Sequence, residues 1–94
     1  MHFDWDPKKA AKNLALNRPT FEEAKEVFAP GAVYLERPVV KNGEERWFRI
    51  GQIVRGVAVV VWTVREGNTI RIMSVRFASR KERAAFQMFV NLKE

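Results

Sequence analysis

The chemistry that this chain could perform lies in its arginines, which are concentrated in its second half. Residues 46–94 contain ten Lys and Arg against three Asp and Glu, whereas residues 1–45 contain seven against eight. Arginine presents N–H donors in a planar fork that fits a phosphate group, and each neutralised phosphate releases condensed counterions. With a formal net charge of +6, the pattern favours a polyanionic partner over a basic surface that only confers solubility.

Other kinds of catalytic residue are scarce. The chain has no cysteine and a single histidine, His2, which excludes thiol chemistry, cysteine-bound metals and histidine-rich metal sites. A histidine beside the initiator methionine is typical of a bystander at a mobile terminus. No glycine-rich phosphate loop, Ser-His-Asp order or HExxH motif occurs, so neither a metal nor a cofactor is expected. RNA can still be cleaved without one, because its own 2′-hydroxyl attacks the adjacent phosphorus when a protein positions it and stabilises the transition state.

Three capping signals, each followed by apolar residues at helical spacing, predict the helices that frame these arginines. The signals are Asp6 before Pro7, Thr20 with Glu23, and Ser79 with Glu82. The predicted helices cover about 7–16, 21–28 and 80–91.

Between the second and third helices the apolar spacing changes to a period near two, which predicts strands. The predicted strands are 32–37, 46–54, 57–65 and 69–78, and a further short strand at 2–5 is left open. Short turns connect the four strands, as in an antiparallel meander. The sequence therefore predicts one α+β domain over residues 1–94, with two N-terminal helices, a four-stranded antiparallel sheet and a C-terminal helix, and with helices covering one sheet face.

Strand alternation predicts which residues share a sheet face. The face expected to pack against the helices carries Phe48, Ile50, Val60, Trp62, Val64, Met73, Val75 and Phe77, with Arg71 near its edge. The opposite face is expected to bring Arg49, Arg65 and Arg76 together, with Thr63 and Ser74 nearby. Such a cluster on an open face is a plausible phosphate site.

The chain also lacks the signals of membrane insertion and export. No stretch approaches the roughly 18 uninterrupted apolar residues of a membrane span, and the first residues lack the basic and apolar regions of a signal peptide. A cytoplasmic location and no membrane partner are therefore expected.

Short segments in a fixed order along the chain form a recognisable pattern. They are Phe3–Asp6, Lys9, Asn13, 21–24, 27–28, Gly43, Glu44, Arg46, Gly51, Thr63, Arg65, 70–76, Ala78, Glu82 and Arg83. The run Ile-Arg-Ile-Met-Ser-Val-Arg at 70–76 is the most specific of them. This pattern resembles the BrnT toxins of bacterial type II toxin–antitoxin modules. The resemblance implies a RelE-like ribonuclease fold, RNA cleavage that arrests growth, and neutralisation by a BrnA-like antitoxin, whose complex with the toxin often binds its own promoter DNA.

The resemblance, combined with the alternation, suggests roles for individual residues. Polar positions of the family pattern fall on Arg46, Arg65, Arg76 and Arg83, and its acidic position falls on Glu44. We expect Arg65 and Arg76 to bind the scissile phosphate, with Arg46 beside them and with Glu44 or an unidentified group moving the proton. The residues expected to bind RNA elsewhere are Lys9, Arg49, Arg80 and Arg83.

Two departures from the family pattern bear on catalysis. Where members carry Lys-His-Gly after the first helix this chain has Leu16, Asn17 and Arg18, and Phe86 stands where a tyrosine is usual. A catalytically weak or inactive relative that binds RNA or its antitoxin is therefore an alternative to a ribonuclease. A non-catalytic nucleic-acid-binding module, and a protein whose basic surface only docks an acidic antitoxin segment, are further alternatives.

Overall fold

The computed structural model describes residues 1–93 and contains three α-helices, a short 3₁₀ helix and five strands. In chain order the elements are β1 (His2–Asp4), α1 (Pro7–Ala15), α2 (Phe21–Ala24), the 3₁₀ helix (Lys25–Phe28), β2 (Tyr34–Lys41), β3 (Glu44–Ile53), β4 (Gly56–Arg65), β5 (Thr69–Phe77) and α3 (Arg80–Lys93). The strands form one sheet in the order β1-β5-β4-β3-β2. The predicted α+β class is confirmed.

The sheet differs from the prediction in its number of strands and in their direction. The prediction of four antiparallel strands is wrong, because β1 pairs with β5 in parallel and gives a mixed, five-stranded sheet. β2 also runs further than expected, through Pro38. A proline is tolerated there because β2 lies at the sheet edge, where one side of the strand needs no ladder hydrogen bonds.

The helix caps form as predicted, because they depend only on neighbouring residues. Asp6 accepts a hydrogen bond from the N–H of Lys8 at 2.9 Å. The Thr20 hydroxyl and the Glu23 carboxylate exchange bonds with each other's backbone N–H groups at 3.0 and 2.8 Å. The second helix is shorter than predicted, because its α-helical part ends at Ala24 and a 3₁₀ turn continues to Phe28.

Helices cover both faces of the sheet, and this corrects the expectation that one face is bare of them. On one face, here called the core face, Phe21 and Val27 pack with Val60 and Ile72. On the other, here called the open face, α3 packs Phe86 against Ile50, Val59 and Ala78. The part of the open face beyond α3 is where polar side chains collect.

The strand register changes which residues share a face. Phe48 and Ile50 lie opposite Val61 and Val59, so they belong to the open face under α3 and not to the core face. A β-bulge in β5 lets Val61 pair with Ser74 while the next residue, Trp62, pairs with Ile72, so Met73 is unmatched. A bulge of one residue reverses the alternation of the strand that carries it. On the N-terminal side of the bulge, Ile72 therefore joins the core face and Arg71 the open face.

Candidate nucleic-acid interface

Eight polar residues form two rows across the uncovered end of the open face. In one row, His2 on β1 lies beside Thr69 on β5, which lies opposite Arg65 on β4. In the other, Asp4 lies beside Arg71, which lies opposite Thr63. Continuing the register onto β3 adds one residue to each row. The set, here called the polar grid, comprises His2, Asp4, Glu44, Arg46, Thr63, Arg65, Thr69 and Arg71.

Glu44 joins two arginines of the polar grid. Its Oε1 accepts a hydrogen bond from Nε of Arg46 at 3.0 Å, and its Oε2 accepts one from Nη1 of Arg65 at 2.8 Å. Arg65 first, and Arg46 second, hold the pKa of the Glu44 carboxyl below its usual range. Each arginine uses one nitrogen for Glu44, so further N–H donors of each guanidinium remain for a phosphate. Glu44 is thus an ionised acceptor that holds two cations side by side.

The other half of the polar grid contains a second ion pair and a buried hydroxyl. Nη1 of Arg71 lies 2.7 Å from Oδ2 of Asp4. The Thr63 hydroxyl donates to the carbonyl of Glu45 at 3.0 Å, which ties β4 to the start of β3. An open cleft of about 760 Å³ lies over this half, and His2, Phe3, Asp4, Arg65, Glu66, Thr69 and Arg71 line it. Two arginines, Arg65 and Arg71, and two carboxylates, Asp4 and Glu66, border this cleft.

Arg76 lies on the open face but away from Arg65, so the predicted cluster of the two is not formed. Its Nη1 and Nη2 donate to Oε1 and Oε2 of Glu82 at 2.7 and 2.8 Å. This pair raises the pKa of Arg76 and lowers that of Glu82 to about 2. Arg76 lies opposite Val59, six positions along β4 from Arg65, which corresponds to roughly 20 Å at 3.3 Å per residue. Each of the two arginines is held by a different carboxylate, and they lie on separate parts of the open face.

Arg49 lies on the core face, and the prediction that it shares the open face is wrong. Its side chain donates to Oε2 of Glu36 at 2.6 Å and to the carbonyl of Val27 at 3.0 Å. The guanidinium also lies 3.7 Å from the centre of the Tyr34 ring, and the residue is only 8% exposed. Odd-numbered residues of β3 lie opposite even-numbered residues of β4, which places Arg49 beside Val60. Its contacts are those of a structural residue that ties the 3₁₀ helix to the sheet.

The remaining predicted RNA contacts lie at two places around the open face. Lys9 donates from Nζ to the carbonyl of Met73 at 3.2 Å, at the bulge in β5. It also lines a groove of about 320 Å³ together with Arg46 and Ser74. Arg80 and Arg83 are exposed in the first turn of α3, where Arg83 donates to the carbonyl of Ala78 at 3.2 Å. Lys9 therefore adjoins the polar grid, whereas the α3 arginines adjoin Arg76.

Four members of the polar grid were not among the predicted site residues: His2, Asp4, Thr69 and Arg71. Arg71 was assigned near the edge of the apolar face because simple alternation takes no account of the bulge. The others depend on the parallel pairing of β1 with β5, which joins residues 67 positions apart in sequence. The one available signal was the apolar Phe3 between polar neighbours, which is typical of a short strand with one buried face.

The two departures from the family pattern lie outside the polar grid. Asn17 follows α1 in a left-handed conformation (φ 54°), and its side-chain oxygen lies 3.4 Å from Nη1 of Arg55 in the β3–β4 turn. That turn is at the opposite end of β4 from Arg65. Phe86 is 4% exposed and packs in the core under α3. The change at Asn17 therefore removes no side chain from the polar grid.

Two further features are absent from residues 1–93. No group of three or more His, Cys, Asp or Glu side chains is arranged to hold a metal ion in this part of the chain. None of its helices has both the length and the apolar character needed to cross a membrane.

Comparison with known proteins gives one family. A search of curated proteins finds no match. The model of the family described as the ribonuclease toxin, BrnT, of type II toxin–antitoxin systems matches residues 5–82. This match includes β3, β4, β5 and the start of α3, and with them six of the eight residues of the polar grid. The chain belongs to the BrnT family of ribonuclease toxins.

Proposed function

We propose that this protein is a metal-independent endoribonuclease whose polar grid binds the scissile phosphate of single-stranded RNA. The observation that carries the proposal is the Glu44 carboxylate held at 3.0 and 2.8 Å between Arg46 and Arg65. Cleavage requires only that the RNA 2′-hydroxyl be aligned with the adjacent phosphorus and that the extra charge of the transition state be stabilised. Two guanidinium groups fixed side by side supply that stabilisation.

In this reaction the three residues have different tasks. Arg65 and Arg46 donate to the non-bridging phosphate oxygens, whose negative charge grows as the 2′-oxygen attacks. Glu44 acts as a positioning residue, because its lowered pKa makes it a weak base and its two oxygens are already engaged. Arg71 extends the cationic surface toward the neighbouring phosphate of the strand.

The RNA path continues from the polar grid to the other basic residues. Lys9 borders the adjoining groove. Further along the open face lie Arg76, near the end of β5, and Arg80 and Arg83, in the first turn of α3. We propose that these four bind phosphates on either side of the scissile one. Arg49 is left out of the RNA path because its guanidinium is buried against Glu36 and Tyr34.

The proposed cellular role follows from membership of the family. The toxin acts in the cytoplasm, where RNA cleavage arrests growth, and a BrnA-like antitoxin neutralises it. The complex of the two proteins binds its own promoter DNA through the antitoxin. In this scheme the antitoxin masks the basic open face, which predicts that RNA and antitoxin compete.

A binding-only relative is the second candidate, because Asn17 and Phe86 replace a histidine and a tyrosine of the family pattern. The test is cleavage of total RNA by purified protein in excess EDTA, with the products resolved on a denaturing gel. We expect the Arg46→Ala, Arg65→Ala variant to lose about 10²–10³-fold in rate, since removal of one such donor typically costs that much. The matched control is Lys12→Ala, Arg18→Ala, which removes the same charge from exposed residues near the far end of α1.

The outcomes separate the candidates. EDTA-resistant cleavage that is lost only in the Arg46, Arg65 variant supports the ribonuclease. Equal loss in both variants would mean that net charge, and not the polar grid, drives the reaction. RNA binding that weakens with salt, without any product, would identify a binding-only relative.

A further inference from the structure

His2 stands in the row of the polar grid that contains Arg65, although it is the second residue of the chain. It is not a free terminus, because β1 begins at this residue and its backbone pairs with that of Thr69. Thr69 in turn lies opposite Arg65. Adjacent strands are about 4.8 Å apart, so the backbones of His2 and Arg65 are separated by roughly 10 Å, with their side chains on one face.

That separation suits a phosphate group between an imidazole and a guanidinium. Both side chains line the same cleft of about 760 Å³, with the Thr69 hydroxyl between them. His2 is exposed and is the only histidine of the chain. A proton acceptor at this place would lie on one side of the bound phosphate while Arg65 holds the other.

The polar grid otherwise lacks a good proton acceptor. Glu44 is held by two arginines, and the pKa of its carboxyl is lowered. Asp4 is held by Arg71 at 2.7 Å. The remaining carboxylate that lines the cleft, Glu66, comes from the β4–β5 turn and not from a strand. Imidazole is the side chain whose chemistry best suits proton transfer near neutral pH.

We infer that His2 is the general base of the RNA cleavage reaction, taking the proton of the 2′-hydroxyl at the phosphate held by Arg65. This inference rests on the proposed ribonuclease function. As the imidazole nitrogen accepts the proton, the 2′-oxygen forms a bond to phosphorus and the bond from phosphorus to the 5′-oxygen breaks. The leaving 5′-oxygen takes a proton from water, and the hydroxide that remains takes the proton from the His2 imidazolium, which restores the base. The products are a 2′,3′-cyclic phosphate and a 5′-hydroxyl end, and no oxidant or other reactant is needed.

The charged groups around His2 come from three strands and one turn. Asp4 lies on its own strand, Arg71 on β5, Arg65 on β4, and Glu66 in the β4–β5 turn. All four line the cleft together with His2, so the test compares the shapes of the pH profiles of the variants. Glu66 is the matched control, because it is a second titratable group at the cleft.

The experiment measures kcat/KM between pH 5 and 8.5, in EDTA, on a short single-stranded RNA taken from a mapped cleavage site. The proteins are wild type, His2→Gln, His2→Ala and Glu66→Gln. We expect the wild-type rate to fall toward acid pH, and His2→Gln to be about 10²-fold slower and to lack that acid limb. Glu66→Gln should keep the acid limb. Added imidazole should restore part of the activity of His2→Ala, which a merely structural role would not allow.

The outcomes distinguish a failure of the proposed role of His2 from a failure of the proposed ribonuclease function. If Arg46→Ala, Arg65→Ala abolishes cleavage while His2→Gln cleaves at the wild-type rate, the ribonuclease function stands and the role of His2 is overturned. Loss of the acid limb in Glu66→Gln instead of His2→Gln would also overturn it. A wild-type protein that cleaves no RNA would overturn both proposals. Unchanged thermal midpoints of the variants establish that folding is not the cause.

Discussion

Replacing Glu82 by glutamine tests whether Arg76 is chiefly a structural residue. Glu82 binds Arg76 through both carboxylate oxygens at 2.7 and 2.8 Å. The same carboxylate accepts the N–H of Ser79 at 2.8 Å, and the Ser79 hydroxyl accepts the N–H of Glu82 at 3.2 Å. Glu82→Gln removes the charge from this junction of β5 and α3 and leaves the shape of the side chain almost unchanged.

The size of the effect follows from the carboxyl pKa. Arg76 first, with the Ser79 N–H, lowers the pKa of Glu82 from 4.5 to about 2. At about 1.36 kcal/mol per pKa unit, this shift sets an upper limit of roughly 3 kcal/mol on what the ionised Glu82 contributes to the free energy of unfolding. Since the Arg76 side chain is 49% exposed, solvent screening reduces the expected loss to about 1–2 kcal/mol. For a domain of this size that corresponds to a fall in Tm of roughly 5–10 °C at pH 7.

The pH dependence has a definite sign. Because the folded-state pKa lies below that of the unfolded chain, the contribution is fully present above about pH 4.5 and is lost as pH falls toward 2. Urea unfolding followed by tryptophan fluorescence, at pH 7 and at pH 3, measures the difference between Glu82→Gln and wild type. That difference should shrink to less than half at pH 3. The pKa of Glu23 is also lowered to about 2. Because Glu23 is present in both proteins, its contribution to the pH dependence cancels in the difference between them.

A surface carboxylate supplies the matched control. Glu22 pairs with Lys25 at 3.0 Å but its side chain is 69% exposed, so Glu22→Gln should cost less than about 0.5 kcal/mol. The reasoning fails if Glu82→Gln costs no more than this control at pH 7. It fails equally if the difference from wild type is as large at pH 3 as at pH 7.

Three other substitutions test the packing that positions the polar grid. Gly51→Ala would place its Cβ 2.9 Å from Cγ1 of Val27, and should cost about 1–3 kcal/mol in chemical denaturation. Asn13 donates to the carbonyls of Pro19 and Val75, both at 2.9 Å, so Asn13→Ala should cost about 1–3 kcal/mol in the same assay. Arg49→Met removes the donor to the Val27 carbonyl and the cation beside Glu36, which keeps its hydrogen bond from Trp62, so it should cost about 1–3 kcal/mol. It should leave the salt dependence of RNA binding unchanged; a weaker salt dependence would return Arg49 to the RNA path.

The elements that depend on neighbouring residues could be predicted from the sequence. The N-cap at Asp6 and the capping boxes at Thr20 and Ser79 set the starts of all three helices, because their hydrogen bonds join residues two or three positions apart. The turn at Asn42 and Gly43, where both residues have positive φ (53° and 74°), marks a hairpin for the same reason. Long-range pairing carries no such local signal, which is why the joining of β1 to β5 was not predicted.

Apolar character could not assign the sheet faces, because both faces of β4 are apolar. Val59 packs under α3 and Val60 packs on the opposite core, so hydrophobicity does not say which residue faces which helix. A two-residue turn pairs even-numbered residues of β3 with odd-numbered residues of β4, and this arithmetic places Phe48 with Val61. Apolar character alone placed Phe48 with Val60, and that choice brought Arg49 to the wrong face.

The candidate site residues were chosen partly from residue type and partly from resemblance, and the structure can say only which of them lie together. The resemblance selected Glu44, Arg46 and Arg65, which the structure brings together in one ion-paired group. Alternation correctly placed Arg65 and Arg76 on one face, but face membership says nothing about distance along the strands. Only the register shows that six positions of β4 separate them.

The separation of the two arginines changes how the open face can work. If both held one phosphate, each would have to leave its carboxylate, and two short ion pairs would be broken for one contact. With separate phosphates, Arg65 can act from its pair with Glu44, while Arg76 keeps α3 in place over Ile50 and Val59. The loss of Arg76 would then reduce activity through stability and RNA affinity, whereas the loss of Arg65 would reduce the rate of the chemical step itself.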